Sequence, residues 1–224
     1  MEIRYIGHAA FELVDGDTSV LIDPFITGNP TAKVAADDLN PSAILLTHGH
    51  GDHVGDAVPL SKRTGAPVLA IVELAQELGE DGANAQDINF GGTVQFDWGW
   101  AKLVPAWHTS TTPKGNVSIP GGLLINFKGT VIYHLGDTSL FSDLALVGKR
   151  NPIDYALVPI GGHYTMDRFD AVDAVELIKP KYVIPIHYNT FPPIQADAQA
   201  FKADVESQTS ARAIVLEPGE AHTA

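Results

Sequence analysis

The chain has 224 residues, enough for one sizeable domain with an ample core, and its 45% hydrophobic content is ordinary for a globular protein. A formal net charge of −13 argues against a nucleic-acid binder that works by neutralising phosphates. With no cysteine and no apolar run of membrane-spanning length, the chain excludes disulfides, thiolate metal ligands and a bilayer helix.

Met1 to Gly7 alternates Ile3 and Tyr5 with polar neighbours and reads as a half-buried strand. Phe11 and Leu13, then Val20-Leu21-Ile22, read as two more strands around a turn at Asp15-Gly16-Asp17, and Asp23-Pro24 ends the third. Residues 27–41 suggest a loop with a short helix that borders whatever follows. Ala43-Ile44-Leu45-Leu46 reads as a buried strand, and Val54 to Thr64 as a helix stopped by Gly65.

Between that strand and that helix lies Thr47-His48-Gly49-His50-Gly51-Asp52-His53. Three imidazoles and a carboxylate within six residues, on a turn at the C-terminal end of a strand, are the donor types that suit zinc, manganese, iron or nickel. The two glycines let the backbone turn tightly and bring the rings together. A lone histidine is usually a satisfied polar residue; four ligand-type side chains on one turn predict a metal site.

Further on, Pro67 to Ile71 reads as a strand and Glu73 to Leu78 as a helix ended by Gly79. Gly91-Gly92 marks a turn before the alternation of Val94, Phe96 and Trp98. Leu123 to Phe127 and Val131 to Tyr133 are strands around Lys128-Gly129, followed by a helix over Leu140 to Val147. Ala156 to Ile160 is a strand, Asp170 to Ile178 a helix with Ala171, Ala174, Val175 and Ile178 on one face, Tyr182 to Ile184 a strand, Ala196 to Val205 a helix. Ala213 to Leu216 closes the fold, and His222 falls in a tail read as unstructured. Composition and order alone give an α/β or α+β class of two strand-rich halves.

His-x-His-x-Asp-His after an apolar strand resembles the signature of the metallo-β-lactamase fold superfamily. Three downstream residues match the order and broad spacing of its remaining ligands: His108 in Pro105-Ala106-Trp107-His108, Asp137 in His134-Leu135-Gly136-Asp137, and His187 in Ile184-Pro185-Ile186-His187. Gly7-His8-Ala9, Leu21-Ile22-Asp23-Pro24-Phe25, Pro159-Ile160-Gly161-Gly162 and His187-Tyr188-Asn189-Thr190-Phe191-Pro192 are similar to short metal-dependent hydrolases related to the ascorbate-6-phosphate lactonases. The resemblance implies an α+β fold, a four-layer αββα sandwich, as a single hydrolase domain over residues 1–224. It also implies two divalent ions, zinc foremost, with manganese, nickel or iron as alternatives. His48, His50 and His108 would hold the first; Asp52, His53 and His187 the second; Asp137 would bridge them. A hydroxide shared by the ions would be the nucleophile, with Asp52 and Asp137 as the catalytic carboxylates.

The expected activity is hydrolysis of a small ester-like substrate, a lactone or phosphorylated lactone. The alternatives are a phosphodiesterase or nuclease, and a thiolester hydrolase. The last is disfavoured because the chain ends soon after His187, without the helical segment such enzymes carry. A histidine at position 50, where flavodiiron relatives place a carboxylate, favours hydrolysis over oxygen reduction. Asp23 is expected to fix the tautomer of a ligand histidine. His8, His163, Tyr188 and Asn189 are candidates for substrate or supporting contacts, Tyr188, Asn189 or Thr190 as a donor to developing oxyanion charge. His134, inside a strand, reads as core or support. Localisation is expected to be cytoplasmic, with no nucleic-acid or membrane partner and self-association left open.

Overall fold

The computed structural model describes residues 1–224. Its first sheet begins as a meander in which β1 (Glu2–Gly7), β2 (Ala10–Asp15) and β3 (Thr18–Ile22) pair antiparallel. β4 (Ala43–Leu45), β5 (Pro67–Ile71) and β6 (Asn84–Ile88) then add in parallel. Parallel neighbours need crossovers, here α1 (Gly51–Val54), α2 (Ala57–Thr64) and α3 (Val72–Glu80).

The second sheet repeats the scheme. β7 (Thr93–Phe96), β8 (Gly99–Pro105), β9 (Gly121–Phe127) and β10 (Thr130–His134) are antiparallel. β11 (Tyr155–Pro159), β12 (Tyr182–Ile186) and β13 (Arg212–Ala213) continue in parallel. Their crossovers are α4 (Leu144–Arg150), α5 (Arg168–Ile178) and α6 (Ala198–Gln208). A last short strand, β14 (Ala221–Thr223), returns to the first sheet and pairs with β1. The orders are β14-β1-β2-β3-β4-β5-β6 and β13-β12-β11-β10-β9-β8-β7.

Period-two burial puts the sheets face to face. On β9, Leu123, Ile125 and Phe127 join Ile3, Phe11, Leu13, Ile22 and Leu45 in one core between the sheets. Leu124 points the other way, into a second core where Tyr133, Ala156 and Val158 meet Ala171, Val175 and Phe201 of the helices. Leu60, Leu74 and Leu78 cover the outer face of the first sheet. The result is the expected αββα sandwich. No helix is long and apolar enough to cross a membrane.

Several local readings change. The helix expected from Val54 to Thr64 is two helices, and the first includes Asp52 and His53. The break at Gly55 (φ 43°) exists because the backbone of Pro24 and Phe25 lies against it, leaving no room for a Cβ. Asp56 reinforces the contact, its carboxylate accepting from the backbone of Ile26 at 3.2 Å and Thr27 at 2.7 Å. Gly79 does not end its helix, which runs to Glu80 before the turn at Gly82.

β6 escaped prediction because, on a partly exposed strand beside β5, only Ile88 of Asn84–Ile88 is buried and no apolar period survives. Trp98 is not on a strand; it folds into the β7–β8 turn and stacks on Phe96 at 4.5 Å. The helix expected from Leu140 starts only at Leu144. α5 and α6 are fixed by Asp167 and Asp197, each accepting from two backbone N–H groups of the first turn. The closing strand is not Ala213–Leu216, of which only Ala213 belongs to a strand. It is β14, and His222, expected to be unstructured, sits opposite Ile3 with its Nε2 3.2 Å from the Tyr155 hydroxyl.

Gly55 is the joint between the loop after β3 and the helix that carries Asp52 and His53. Replacing Gly55 with Ala should destabilise the chain by about 2 kcal/mol or more, through both overlap and left-handed strain. For a chain of this size that is a fall of roughly 4–8 °C in Tm, measurable by calorimetry.

Candidate metal centre

In both sheets several strands end at the same edge, and six of those ends deliver a ligand-type or supporting side chain. β4 leads into Thr47 to His53, β8 into His108, β10 into Asp137, β12 into His187, and β1 and β3 contribute His8 and Asp23. The seven residues predicted from sequence as ligands converge. His48, His50, His108 and Asp137 place one donor atom each within 4.8 Å of one another, as do His8, Asp52, His53 and His187.

Asp137 lies between the two groups. Its Oδ1 is 3.3 Å from His53 Nε2, and its Oδ2 is 3.1 Å from His187 Nε2, 3.5 Å from His108 Nε2 and 4.0 Å from His48 Nε2. His53 Nε2, Asp137 Oδ1 and both ring nitrogens of His187 are buried without any hydrogen-bond partner. Buried polar atoms are rarely left so. Orphaned nitrogens and a carboxylate oxygen converging from separate strands form a donor set suited to divalent cations, so the residues present fit the metals that the sequence suggests.

Asp23 organises the inner wall. It is fully buried, and its carboxylate accepts from the Thr47 amide (2.8 Å), the Thr47 hydroxyl (2.6 Å) and His53 Nδ1 (2.7 Å). Because a carboxylate only accepts, His53 must carry its proton on Nδ1, which turns the bare Nε2 toward Asp137. The Thr47 hydroxyl, having spent its proton on Asp23, accepts from His48 Nδ1 at 3.0 Å. His48 Nε2 is thereby bare as well and faces His50 Nδ1 at 3.0 Å. Thr47 escaped the sequence reading; its only signal was a hydroxyl residue at the end of the strand before the first ligand.

Electrostatics follow from crowding. Burial, with the neighbouring His53, holds His48 well below the usual imidazole range; burial also lowers His50 and His108. Burial acts on His53 too, but Asp137 and Asp23 outweigh it and push His53 well up. Burial would raise the two carboxyls; His187 and His53 hold Asp137 well below the usual range, and the His8 hydrogen bond with nearby imidazoles does the same for Asp52. His8 is pushed down to about 4, chiefly by burial.

The remaining candidates divide. His8 joins the cluster. His134 is buried, its Nε2 donating to the Ala9 carbonyl (2.8 Å) while Nδ1 accepts from the Gly136 amide (3.0 Å), which shapes the turn before Asp137. Asn189 closes its own loop, exchanging two hydrogen bonds with the backbone of Ala196. Tyr188 lines a separate cleft with Tyr5, Lys33 and Glu217. His163 is exposed and stacks edge-on against Tyr164. The structure brings none of these last three into the cluster.

The model of the β-lactamase superfamily domain matches residues 2–187. A UPF0173 metal-dependent hydrolase of Thermus thermophilus is 48% identical over 221 residues, 98% of this chain and 97% of the relative. One of Thermococcus onnurineus is 47% identical over 223 residues, covering 98% of each. Among solved structures, Igni18, a metallo hydrolase of Ignicoccus hospitalis, superimposes with a TM-score of 0.91 at 39% identity, over 99% of this chain and 97% of that one. An isothiocyanate hydrolase from Delia radicum gut bacteria shares the fold, with a TM-score of 0.79 at 16% identity over 100% and 99% of the chains.

Two outcomes follow from this geometry. Replacing Asp23 with Ala removes the acceptor that fixes His53 and Thr47, and should weaken metal affinity by about 10–100-fold, read by competition with a chromophoric chelator. In the metal-free chain Asp137 and Asp23 favour a second proton on His53, and ligation through Nε2 requires that proton to leave. Metal uptake at pH 7 should therefore release about one proton per chain or more, and affinity should rise as pH rises toward the elevated His53 pKa. Calorimetry in two buffers of different ionisation enthalpy checks both the release and its sign.

Proposed function

The chain belongs to the β-lactamase superfamily and is a metal-dependent hydrolase, and from that premise we propose that it hydrolyses a small uncharged ester, a lactone foremost, at a two-cation centre. The observation that carries this reading is the division of the cluster into two donor sets around Asp137. His48, His50 and His108 would hold one cation, Asp52, His53 and His187 the other, with Asp137 between them. Divalent cations, zinc foremost, would supply Lewis acidity to the scissile carbonyl and acidify a water molecule.

The protein's own part is positioning. Asp23 and Thr47 keep the ligating nitrogens of His53 and His48 bare and correctly turned. The Asp52 side chain is 32% exposed, against 3% for Asp137, so it is the carboxylate that meets incoming water. Its Oδ2 is held by His8, and Oδ1 is left to orient the attacking molecule or take its proton. No serine or cysteine nucleophile is needed.

Substrate polarity is read from the surround. None of the hydrogen bonds and ion pairs of the clustered side chains involves a lysine or arginine. A phosphorylated lactone would bring its phosphate to side chains that no lysine or arginine bonds, and a chain of net charge −13 repels it further. Two loops beside the cluster instead expose aromatic surface. Trp107 (67% exposed) is tied to Thr138 and Ser139 by its own backbone. Tyr164 (56% exposed) lies on a loop whose Met166 amide donates to the Thr138 carbonyl. These surfaces suit an apolar substituent, and the same charge argument places phosphodiesters second.

The test is a paired assay. Metal-loaded chain and a stripped control receive an alkyl-substituted lactone, a phosphorylated lactone and an activated phosphodiester. Metal-dependent opening of the alkyl lactone should be fastest; preference for either phosphate compound would overturn the substrate reading. Asp137→Asn should lower kcat/KM by at least about 100-fold, since it removes a carboxylate shared by both donor sets; retained turnover with two bound ions would exclude the bridging role.

A further inference from the structure

The residue that follows β1 costs the fold something. His8 has a left-handed backbone (φ 60°), which is unfavourable for a residue with a Cβ. Its carbonyl is held from two sides, accepting from the Tyr5 hydroxyl at 3.1 Å and the His187 amide at 2.8 Å. The ring is fully buried, with its centroid 4.0 Å from that of His187 and edge-on contacts to Phe25 and Phe191. Strain of this kind persists where the surroundings enforce it, and such positions cluster at working sites.

The ring has two polar partners, one on each nitrogen. Nδ1 lies 2.9 Å from Thr190 Oγ1 and Nε2 lies 3.0 Å from Asp52 Oδ2. An ionised carboxylate can only accept, so the proton between His8 and Asp52 belongs to Nε2. In the neutral ring that burial favours, Nδ1 is then bare and accepts from the Thr190 hydroxyl. The chain of donors runs from Thr190 through His8 to Asp52. The Asp52 carboxylate makes no other hydrogen bond, and it sits on a single helical turn whose partly exposed side chain nothing else orients.

We propose that His8, itself oriented by Thr190, is a positioning residue for Asp52. By holding Oδ2, the oxygen that lies 3.9 Å from His187 Nε2, it fixes the carboxylate plane within the group formed with His53 and His187. The inference rests on the two-cation reading and extends it. The first and last parts of the chain, Gly7-His8 and His187 to Thr190, together set how the signature turn binds its second ion.

Zinc affinity tests it without relying on turnover. Full-length protein is stripped of metal and titrated with zinc against a chromophoric chelator; cobalt spectra report the geometry of the second ion. The wild-type chain should take two ions. Thr190→Val, which keeps shape but removes the donor, should weaken the second ion by about tenfold and leave the first unchanged; His8→Leu should weaken it by about 10–100-fold. His8→Gln, which can return an N–H to Asp52, should restore affinity to within a few-fold of wild type and recover the cobalt spectrum. Two ions bound with wild-type affinity in both His8→Leu and Thr190→Val would overturn the positioning role while leaving the two-cation reading intact. Failure of His8→Gln to rescue would overturn it in favour of direct ligation by the ring. A wild-type chain that takes one ion would overturn the two-cation reading and this inference with it.

Discussion

The buried carboxylate of Asp23 is the contact on which the site depends. An isolated charge removed from water costs several kcal/mol, so Asp23 is tolerable only because three donors converge on it. Two come from Thr47 and one from His53. The same three bonds tie the end of β3 to the turn after β4 and decide which nitrogen of His53, and through Thr47 of His48, is free to bind. One acceptor thus fixes the position, the tautomer and the direction of two imidazoles from opposite ends of the signature.

The topology explains why so many ligands can meet. Each sheet is antiparallel in one half and parallel in the other, and the parallel halves bring strand ends to a common edge. Turning the chain abruptly there requires unusual backbone. His8, Asp23, His187 and Asn189 have left-handed φ values around the cluster; the other two such non-glycine residues, Lys128 and Lys179, occupy an ordinary hairpin turn and a helix C-cap. Glycine handles the closest approaches: a Cβ on Gly49 would press on the backbone of Thr111, and one on Gly136 on Thr47. The strand-end turns are held in strained form by two well-packed cores on either side.

Charge then sorts the chemistry. Six imidazoles and two carboxylates share a space with no lysine or arginine among their contacts. Without a cation, Asp137 and Asp23 favour a second proton on His53 while burial disfavours one on His48. The ring nitrogens of His53 and His48 would ligate a divalent ion in place of that proton, which would join metal binding to pH. The cationic character of the working site would come from its ions, while the surrounding protein is acidic with aromatic surface beside it. That contrast is the basis of the proposed preference for a neutral carbonyl substrate over a phosphate.

Two strand-rich halves with helices and the ligand types of the signature turn were legible in the sequence because both are written locally, whereas the four-layer αββα arrangement followed from the family resemblance. Period-two apolar runs mark the central strands, and His48 to His53 are neighbours in the chain. His108, Asp137 and His187 could be proposed only by resemblance, since nothing in a sequence states which strand ends share an edge. Polar β6 and β14 were invisible because edge strands stabilised by backbone pairing need no apolar alternation. The break at Gly55 was hidden because its cause, the Pro24 carbonyl, lies thirty-one residues upstream. Tertiary structure alone decided that Thr190 meets His8, that Asn189 and Tyr188 turn elsewhere, and that Thr47 controls His48. Hydrogen bonds across 182 residues of chain depend on how two sheets pack, which local propensity does not encode.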